Sequence, residues 1–481
     1  MSLLLLLLLR ALALFWIPPQ ADEIVQGYMT DDIVHLRNFP LYYYGQSFMG
    51  PVESYLLAPL VRIFGSDYGV VRLGNELFYL AFVILSLKIV SRLFDRETAR
   101  PLFFLLSVAP FPVLFFTTVF GYGEILPLAL LSLLFLLKTL SDPKASFQYA
   151  AVLGLISGLA FWCNPIFVIW LVPIGISLVG FTASGERAKA LAGFAAGSFV
   201  GLLPAWCYAF QTGRPMFINT AGPGYSPLEH LPHMAYLFFA RMKYFLTASF
   251  FESPSWLRHV IPFLAWIPAG LFALSWVSLF FHFFQEKDVR KKSVYIFVLL
   301  PPGILFLLYT SRDLTTDEGI RYFLPLIVSY AFSVAWWVRR LPSWGRRAVL
   351  TVLGGILLLS SLGSLDAQNR QRMRYLQIVR FLEQNRLHYG VGDFNAAYAV
   401  NALGRGQILA SPPHYGMRYP PLWNAVLDHR PKFFLFETVD HRYRNRLASD
   451  PQVTHAVVGG RDIYYGTSGI FQEILETNES L

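Results

Sequence analysis

The sequence predicts an α-helical polytopic membrane domain over residues 1–365, followed by a small soluble α/β domain over residues 366–481 on the outer face. Of the 481 residues, 55% are hydrophobic and 14% are charged, whereas an average soluble domain has about 25% charged residues. The shortage is uneven, because about 12% of residues 1–365 but about 21% of residues 366–481 are charged. This composition excludes a soluble enzyme and a disordered chain. Cys163 and Cys207, both in apolar runs, cannot form a disulfide framework.

Apolar runs of roughly 20 residues mark membrane-spanning helices, and about eleven are predicted. They lie near residues 2–18, 69–91, 101–119, 124–140, 148–163, 165–183, 190–210, 260–284, 293–310, 322–338 and 348–365. The first run contains Arg10 but has no basic start and no small-residue cleavage site after it. We therefore expect a retained helix rather than a signal peptide.

Loop charges predict the orientation, because Lys and Arg are retained on the cytoplasmic side. With a cytoplasmic N-terminus, five short inner loops hold sixteen basic residues, while the longer outer loops hold about eight. An odd number of spans then carries residues 366–481 to the periplasmic or extracellular side of the inner (plasma) membrane. The net charge of +9 is explained by this topology and requires no nucleic-acid partner. Two long outer loops, 19–68 and 211–259, are where we expect the chemistry.

The C-terminal segment alternates short apolar strands with helices, which indicates a sheet covered by helices. A helical stretch around residues 376–382 precedes predicted strands at 389–392, 407–409 and 433–436. Predicted helices at 397–403 and 422–427 lie between these strands.

An acidic pair, Asp22 and Glu23, follows the first span directly behind Pro18 and Pro19, which should end the helix at the interface. A carboxylate placed there can be partly desolvated, which suits a general base or a metal ligand. A solvated pair of loop charges is the alternative.

Glu124 is the only charged residue between Arg100 and Lys138. An ionisable residue between two apolar runs is costly unless it faces an interior or a wet cavity, so a functional role is the first hypothesis. Gly121 and Gly123 would allow a tight turn there. The alternative is an incidental interfacial glutamate.

Arg321 and Tyr322 stand at the outer entrance of the tenth predicted span. The planar fork of an arginine can bind a phosphate group, and an interfacial anchor is the equally open alternative. The outer-loop histidines lack metal-ligand spacing, which favours structural or solvated roles; they are His35, His230, His233 and His259. The sequence has no glycine loop for nucleotide phosphates, which argues against a nucleotide-driven pump.

Several of these motifs together resemble a known family. Besides the acidic pair, they are residues 44–53 (YGQSFMGPVE), 121–124 (GYGE), 158–165 (GLAFWCNP), 321–325 (RYFLP) and 418–421 (RYPP). The set resembles the polytopic glycosyltransferases of the GT-C fold, in particular bacterial relatives of protein O-mannosyltransferases and aminoarabinose transferases, glycosyltransferase family 39-like. The resemblance covers the whole membrane part.

This resemblance implies an enzyme that takes a sugar from a polyprenyl-phosphate carrier and passes it to an acceptor hydroxyl at the outer face, with inversion. The acceptor would be a lipid, a glycan or a protein. By the family pattern, Asp22 with Glu23 beside it would act as general base or orient the acceptor, and Glu124 would shape the site. Glu53 is a candidate metal or substrate ligand, so that a divalent metal is an open option and no cofactor is certain.

One departure concerns the lipid phosphate. Aminoarabinose-type relatives have a lysine near the prolines of the first outer loop, whereas this chain has Met49-Gly50-Pro51. Phosphate binding would then fall to Arg321 with Tyr322, or to another outer arginine such as Arg37 or Arg312. Two other functions remain open from the residues alone: a transporter or flippase for a lipid-linked sugar, and a ligase or polymerase of lipid-linked glycans. Transporters often contain inverted repeats, and none is evident here.

Overall fold

The structure is a computed structural model that describes residues 2–46, 48–119, 122–213, 231–247, 264, 266–310, 317–436 and 441–476. Its helices are α1 (Ser2–Trp16), α2 (Ala21–Val34), α3 (Val52–Phe64), α4 (Tyr68–Leu93), α5 (Arg96–Ser107), α6 (Phe111–Thr118), α7 (Ile125–Ser141), α8 (Ser146–Cys163), α9 (Val168–Phe181), α10 (Ser184–Gly201), α11 (Leu203–Thr212), α12 (Leu231–Thr247), α13 (Trp266–Gln285), α14 (Val289–Thr310), α15 (Leu326–Arg339), α16 (Ser343–Gln384), α17 (Phe394–Leu403), α18 (Pro420–Asp428), α19 (His441–Ser449) and α20 (Ile470–Glu476). The strands are β1 (Tyr389–Gly392), β2 (Leu409–Ser411), β3 (Phe433–Phe436), β4 (Val453–Val458) and β5 (Arg461–Gly466).

The predicted class, a polytopic helical membrane protein with a C-terminal α/β region, is confirmed. Within the described residues, 6 helices are long and apolar enough to cross a membrane, or 9 if each of three bent pairs is one span. Two shorter apolar helices, Ile125–Ser141 and Pro165–Phe181, coincide with the fourth and sixth predicted spans. Each predicted span thus corresponds to a helix or a bent pair, although the start of the eighth lies outside the described residues.

Helix α1 ends where the two prolines predicted it would. Residues 18–20 are not helical, and α2 then leaves at 88° to α1. The charge inside the first span is accommodated within the bundle: the Arg10 guanidinium donates to Thr117 at 2.7 Å and pairs with Glu76 at 3.2 Å. It also lies 3.4 Å from the centre of the Tyr79 ring. A paired, interior-facing arginine is what an apolar span tolerates.

Contacts between loops distinguish the two ends of the bundle. At the end of α4, Asp95 pairs with Arg339 at 2.6 Å and Glu97 with Arg346 at 3.1 Å, which joins two loops predicted to be on the cytoplasmic side. At the start of α4, Arg72 contacts Glu23. The 26 residues of α4 extend about 39 Å at 1.5 Å per residue, so the acidic segment after α1 lies at the opposite end from these loops.

The C-terminal region is a five-stranded mixed sheet with strand order β2-β1-β3-β5-β4. Strand β1 is parallel to β2 and β3, while β5 pairs antiparallel with both β3 and β4. Strands β1 and β3 match the predicted bounds, and β2 begins two residues later than predicted. The hairpin of β4 and β5 was missed, because its alternation of buried and exposed residues is weak in the sequence.

Alternating side chains of β3 fill two cores. Phe433 and Leu435 pack with the end of α16, and Phe434 packs on the other face with α20, as the two-residue period of a strand requires. The 42 residues of α16 extend about 63 Å, about twice the hydrocarbon thickness of a bilayer. The last predicted span and the helical stretch after it are therefore one helix, and the predicted boundary at residues 365–366 falls inside it.

Candidate active site

A buried ion pair fixes the turn between α1 and α2. The Arg72 guanidinium donates to both carboxylate oxygens of Glu23, at 2.7 Å and 2.6 Å. Its other N–H groups donate to the backbone carbonyl oxygens of Leu14, Ile17 and Pro18 at 2.8–2.9 Å. All five donors of the guanidinium are thus used, and three of them satisfy carbonyls at the end of α1, which have no partner within the helix. Both carboxylate oxygens of Glu23 therefore contribute to the contact between α2 and α4.

Asp22, the neighbouring residue, faces a different environment. Its Oδ1 accepts from Nη1 of Arg418 at 2.9 Å, and the two side chains remain 16% and 23% exposed. The Tyr43 hydroxyl donates to the backbone carbonyl of Asp22 at 2.5 Å. The structure therefore separates the acidic pair: Glu23 is fully buried, while Asp22 remains partly accessible beside an arginine from the C-terminal region.

Tyr122 links the remaining candidates. It is 5% exposed and lies on the turn before α7, with its ring centre 5.8 Å from Cζ of Arg321. Burial raises the pKa of the Tyr122 phenol, the Arg321 guanidinium opposes this shift, and Tyr322, Asp22 and Glu124 add to it. Asp22, Glu124 and Arg321 are therefore all close enough to Tyr122 to interact with it electrostatically, although 100 to 300 residues separate some of them along the chain.

Glu53 and Glu124 form a buried acidic pair. They are 1% and 2% exposed, and among the described residues none of their four carboxylate oxygens has a hydrogen-bond partner. The two groups interact electrostatically with each other and with the buried Cys163. Burial raises the pKa of Glu53 to about 8, so this carboxyl group is mostly protonated at neutral pH.

Side chains of the segment between α1 and α4 also pack against the C-terminal region. The Tyr419 ring stacks on Tyr28, with ring centres 4.5 Å apart, and on Tyr44 at 5.9 Å. The Tyr44 hydroxyl donates to Asp32 at 2.7 Å, and Arg37 pairs with the same carboxylate at 2.7 Å. Arg37 is therefore engaged by Asp32 beside these aromatic contacts.

The described part of the chain contains no group of three or more His, Cys, Asp or Glu side chains placed to hold a metal ion. The carboxylate oxygens of Glu53 and Glu124 are a chemically suitable part of a site for a hard divalent cation, but water or substrate would have to supply its other ligands. His35 interacts with Asp31 and His233 is exposed. His230, His259, Gly121 and Arg312 lie outside the described residues.

Sequence reasoning missed Arg72 and the contact of Arg418 with Asp22. A signal for Arg72 was available, since it is a charged residue four positions inside α4 and charges inside spans mark interior contacts. The signal for Arg418 was weaker. Its motif was recognised as family-like, but nothing local indicates that it reaches a residue 396 positions away.

Comparison with known proteins identifies the class. A family model described as dolichyl-phosphate-mannose-protein mannosyltransferase matches residues 49–208, about a third of the chain, which includes Glu53 and Glu124. No functionally characterised protein matches the sequence significantly.

Solved structures give the fold. ArnT from Cupriavidus metallidurans, bound to undecaprenyl phosphate, superposes with a TM-score of 0.63 at 14% identity, over 96% of this chain and 97% of that chain. The apo state of the same protein superposes with a TM-score of 0.64 at 12% identity, over 99% of this chain and 98% of that chain. The apo oligosaccharyltransferase of Archaeoglobus fulgidus superposes with a TM-score of 0.52 at 13% identity, over 90% of this chain and 69% of that chain.

The chain is thus a multi-pass membrane protein with the fold of the GT-C glycosyltransferases. It is similar to the protein mannosyltransferases in sequence over residues 49–208 and to ArnT in structure. The recognition from the sequence motifs is confirmed.

Proposed function

We propose that the chain transfers a hexosyl or pentosyl group from a polyprenyl-phosphate carrier to an acceptor hydroxyl at the outer face of the membrane, with inversion. The observation that carries this proposal is the convergence of Asp22 and Arg321 on Tyr122. A carboxylate and a guanidinium that both interact with one buried tyrosine provide a proton acceptor and an anion-binding group. The undecaprenyl phosphate bound to the similar ArnT supports a lipid-linked donor.

The chemistry follows from these two groups. The acceptor hydroxyl gives its proton to the Asp22 carboxylate while its oxygen attacks C1 of the sugar, and the bond between C1 and the phosphate oxygen breaks. Negative charge grows on the departing lipid phosphate, where the planar fork of Arg321 can stabilise it by charge-assisted hydrogen bonds. Tyr322 adjoins this guanidinium, at 5.3 Å from its Cζ to the ring centre.

Two of the predicted residues, Glu23 and Glu124, do not transfer the proton in this proposal. Glu23 is structural, because both of its oxygens are bound by Arg72. Glu124, paired with Glu53 beside Tyr122, shapes the sugar-binding part of the site. Carboxyl groups without a protein donor suit the hydroxyl groups of a sugar or, with further ligands, a divalent cation.

The orientation is part of the proposal. Sixteen basic residues in the short loops favour a cytoplasmic location for the end of the bundle near Asp95 and Arg339. The N-terminus would then be cytoplasmic, and Asp22 and the sheet domain would face the periplasm or the exterior of the inner membrane. A lipid carrier suits this location, since its tail can lie among the spans while its phosphate meets Arg321 at the interface.

The test starts with mass spectrometry of envelope glycans and lipid carriers from cells with and without the protein, which identifies the sugar. Loss of a transferase should leave the loaded carrier in excess and one sugar missing from an acceptor. Loss of a flippase would instead leave the loaded carrier on the inner face, and loss of a ligase or polymerase would remove whole glycans. Purified protein is then offered the matching polyprenyl-phosphate sugar or nucleotide sugar.

Two variants test the assigned roles. Asp22→Asn should lower transfer by roughly 100-fold or more, as loss of a general base does, with normal membrane expression. Arg321→Lys keeps the charge but loses the fork, so it should raise KM for the lipid donor more than KM for the acceptor. The control Arg346→Lys, at the opposite end of the bundle, should match wild type. Transfer from the nucleotide sugar alone, or wild-type turnover by Asp22→Asn, would refute the proposal.

A further inference from the structure

Arg418 belongs to the C-terminal region but reaches the proposed general base. It lies two residues before the start of α18, and its Nη1 is 2.9 Å from Oδ1 of Asp22. Both side chains are mostly buried, at 23% and 16% exposure. A charge-assisted hydrogen bond in such a place is stronger than a solvated surface pair.

Neighbouring residues restrict the Arg418 side chain. Its Cζ lies 4.7 Å from the centre of the Phe394 ring. On another side is Gly45, where an added Cβ would lie 2.8 Å from Cγ of Arg418, and whose φ of +72° also favours glycine. The stem of the arginine therefore packs directly on the backbone of the first outer loop, which restricts where its guanidinium can point.

The next residue provides separate docking contacts. Tyr419 stacks on Tyr28, and its hydroxyl lies 3.4 Å from Oδ1 of Asp32. The contacts of Tyr419 with Tyr28 and Asp32 thus attach the two regions through residues other than Asp22. The ion pair between Arg418 and Asp22 is thus not required simply to join the two regions. The charge of Arg418 can therefore have a more specific role.

We propose that Arg418 is a positioning residue that orients the Asp22 carboxylate, which makes the C-terminal domain part of the active site. This inference rests on the proposed function, since it gives Arg418 a role through the base. A nearby positive charge favours the ionised form of a carboxylate, which is the form that accepts a proton. Fixing one carboxylate oxygen also reduces the orientations that the acceptor hydroxyl must find.

The experiment compares Arg418→Gln and Arg418→Lys with the control Arg446→Gln. Arg446 lies in the same domain and pairs with Glu473 on the surface, so its replacement removes the same charge far from Asp22. Arg418→Gln should lower kcat by roughly 10- to 100-fold with a smaller change in donor KM. The acidic limb of its pH–rate profile should move to higher pH, because the carboxylate becomes easier to protonate. Arg418→Lys should recover part of both effects.

A double-mutant cycle with Asp22→Asn separates this role from others. If Arg418 acts through Asp22, Arg418→Gln should cause little further loss in the Asp22→Asn protein. Full additivity, or a wild-type rate and pH profile for Arg418→Gln, would overturn the positioning role while leaving the transferase proposal intact. If Arg418→Gln does not fold, Arg418→Lys with an unchanged rate and pH profile would overturn it as well. A wild-type protein inactive with every lipid donor would refute the proposed function itself and the inference that depends on it.

Discussion

The Glu23–Arg72 pair offers a test that distinguishes support of the fold from catalysis. Both side chains are 0% exposed, so Glu23→Gln leaves a guanidinium buried without its counter-charge. Removing one partner of a buried pair typically costs about 3–5 kcal/mol. We expect Glu23→Gln to lower the free energy of unfolding by about that amount, a large share of the roughly 5–15 kcal/mol of a typical domain.

Replacing Arg72 should lower the free energy of unfolding by more than Glu23→Gln does. Arg72→Met removes the two bonds to Glu23 and also leaves the carbonyl oxygens of Leu14, Ile17 and Pro18 without their donor. A buried acceptor that loses its partner costs about 1–3 kcal/mol. The double variant Glu23→Gln/Arg72→Met contains no unpaired buried charge, so its loss should be smaller than the sum of the two single losses.

The assay is denaturant unfolding in detergent, with transfer activity measured per folded molecule. Glu473→Gln, which breaks the exposed pair with Arg446, is the control and should change stability by less than about 1 kcal/mol. If Glu23→Gln kept wild-type stability but lost transfer as Asp22→Asn is expected to, the structural interpretation of Glu23 would be wrong.

Two further predictions concern topology and pH. The topology test uses a Cys207→Ser protein with a single new cysteine at an exposed position, either Lys144→Cys or Gln407→Cys. The two cysteines should react with a thiol label from opposite sides of the membrane, the second from outside. Labelling of both from one side would contradict the orientation. Burial raises the pKa of Glu53 to about 8. Protonated Glu53 therefore contributes stability that is fully present below the ordinary pKa of a glutamate and is lost as the pH rises to about 8. Glu53→Gln should therefore match wild type in Tm at pH 4 and exceed it by roughly 5 °C at pH 8, and equal values at pH 8 would refute the assignment.

The positions of the spans could be predicted from the sequence because the bilayer imposes one length on every apolar helix. The Pro18-Pro19 stop and strands β1 and β3 were predicted for similarly local reasons. The continuity of α16 was not predicted, because its polar C-terminal part, which begins near Asp366, has the composition of a soluble segment. Nothing local indicates whether a helix continues across such a change.

The site illustrates a second limit. Asp22 and Glu23 are adjacent carboxylates with the same local sequence, and only the fold separates them, by giving one to the buried Arg72 and the other to Arg418. In an α-helix neighbouring residues point about 100° apart, so one of the pair can face the bundle while the other faces the C-terminal region. Sequence patterns can thus locate an acidic segment after a predicted span, whereas only the fold shows which cationic side chain each carboxylate contacts. The expected difference between Glu23→Gln, which should lose stability, and Asp22→Asn, which should lose turnover, follows directly from those partners.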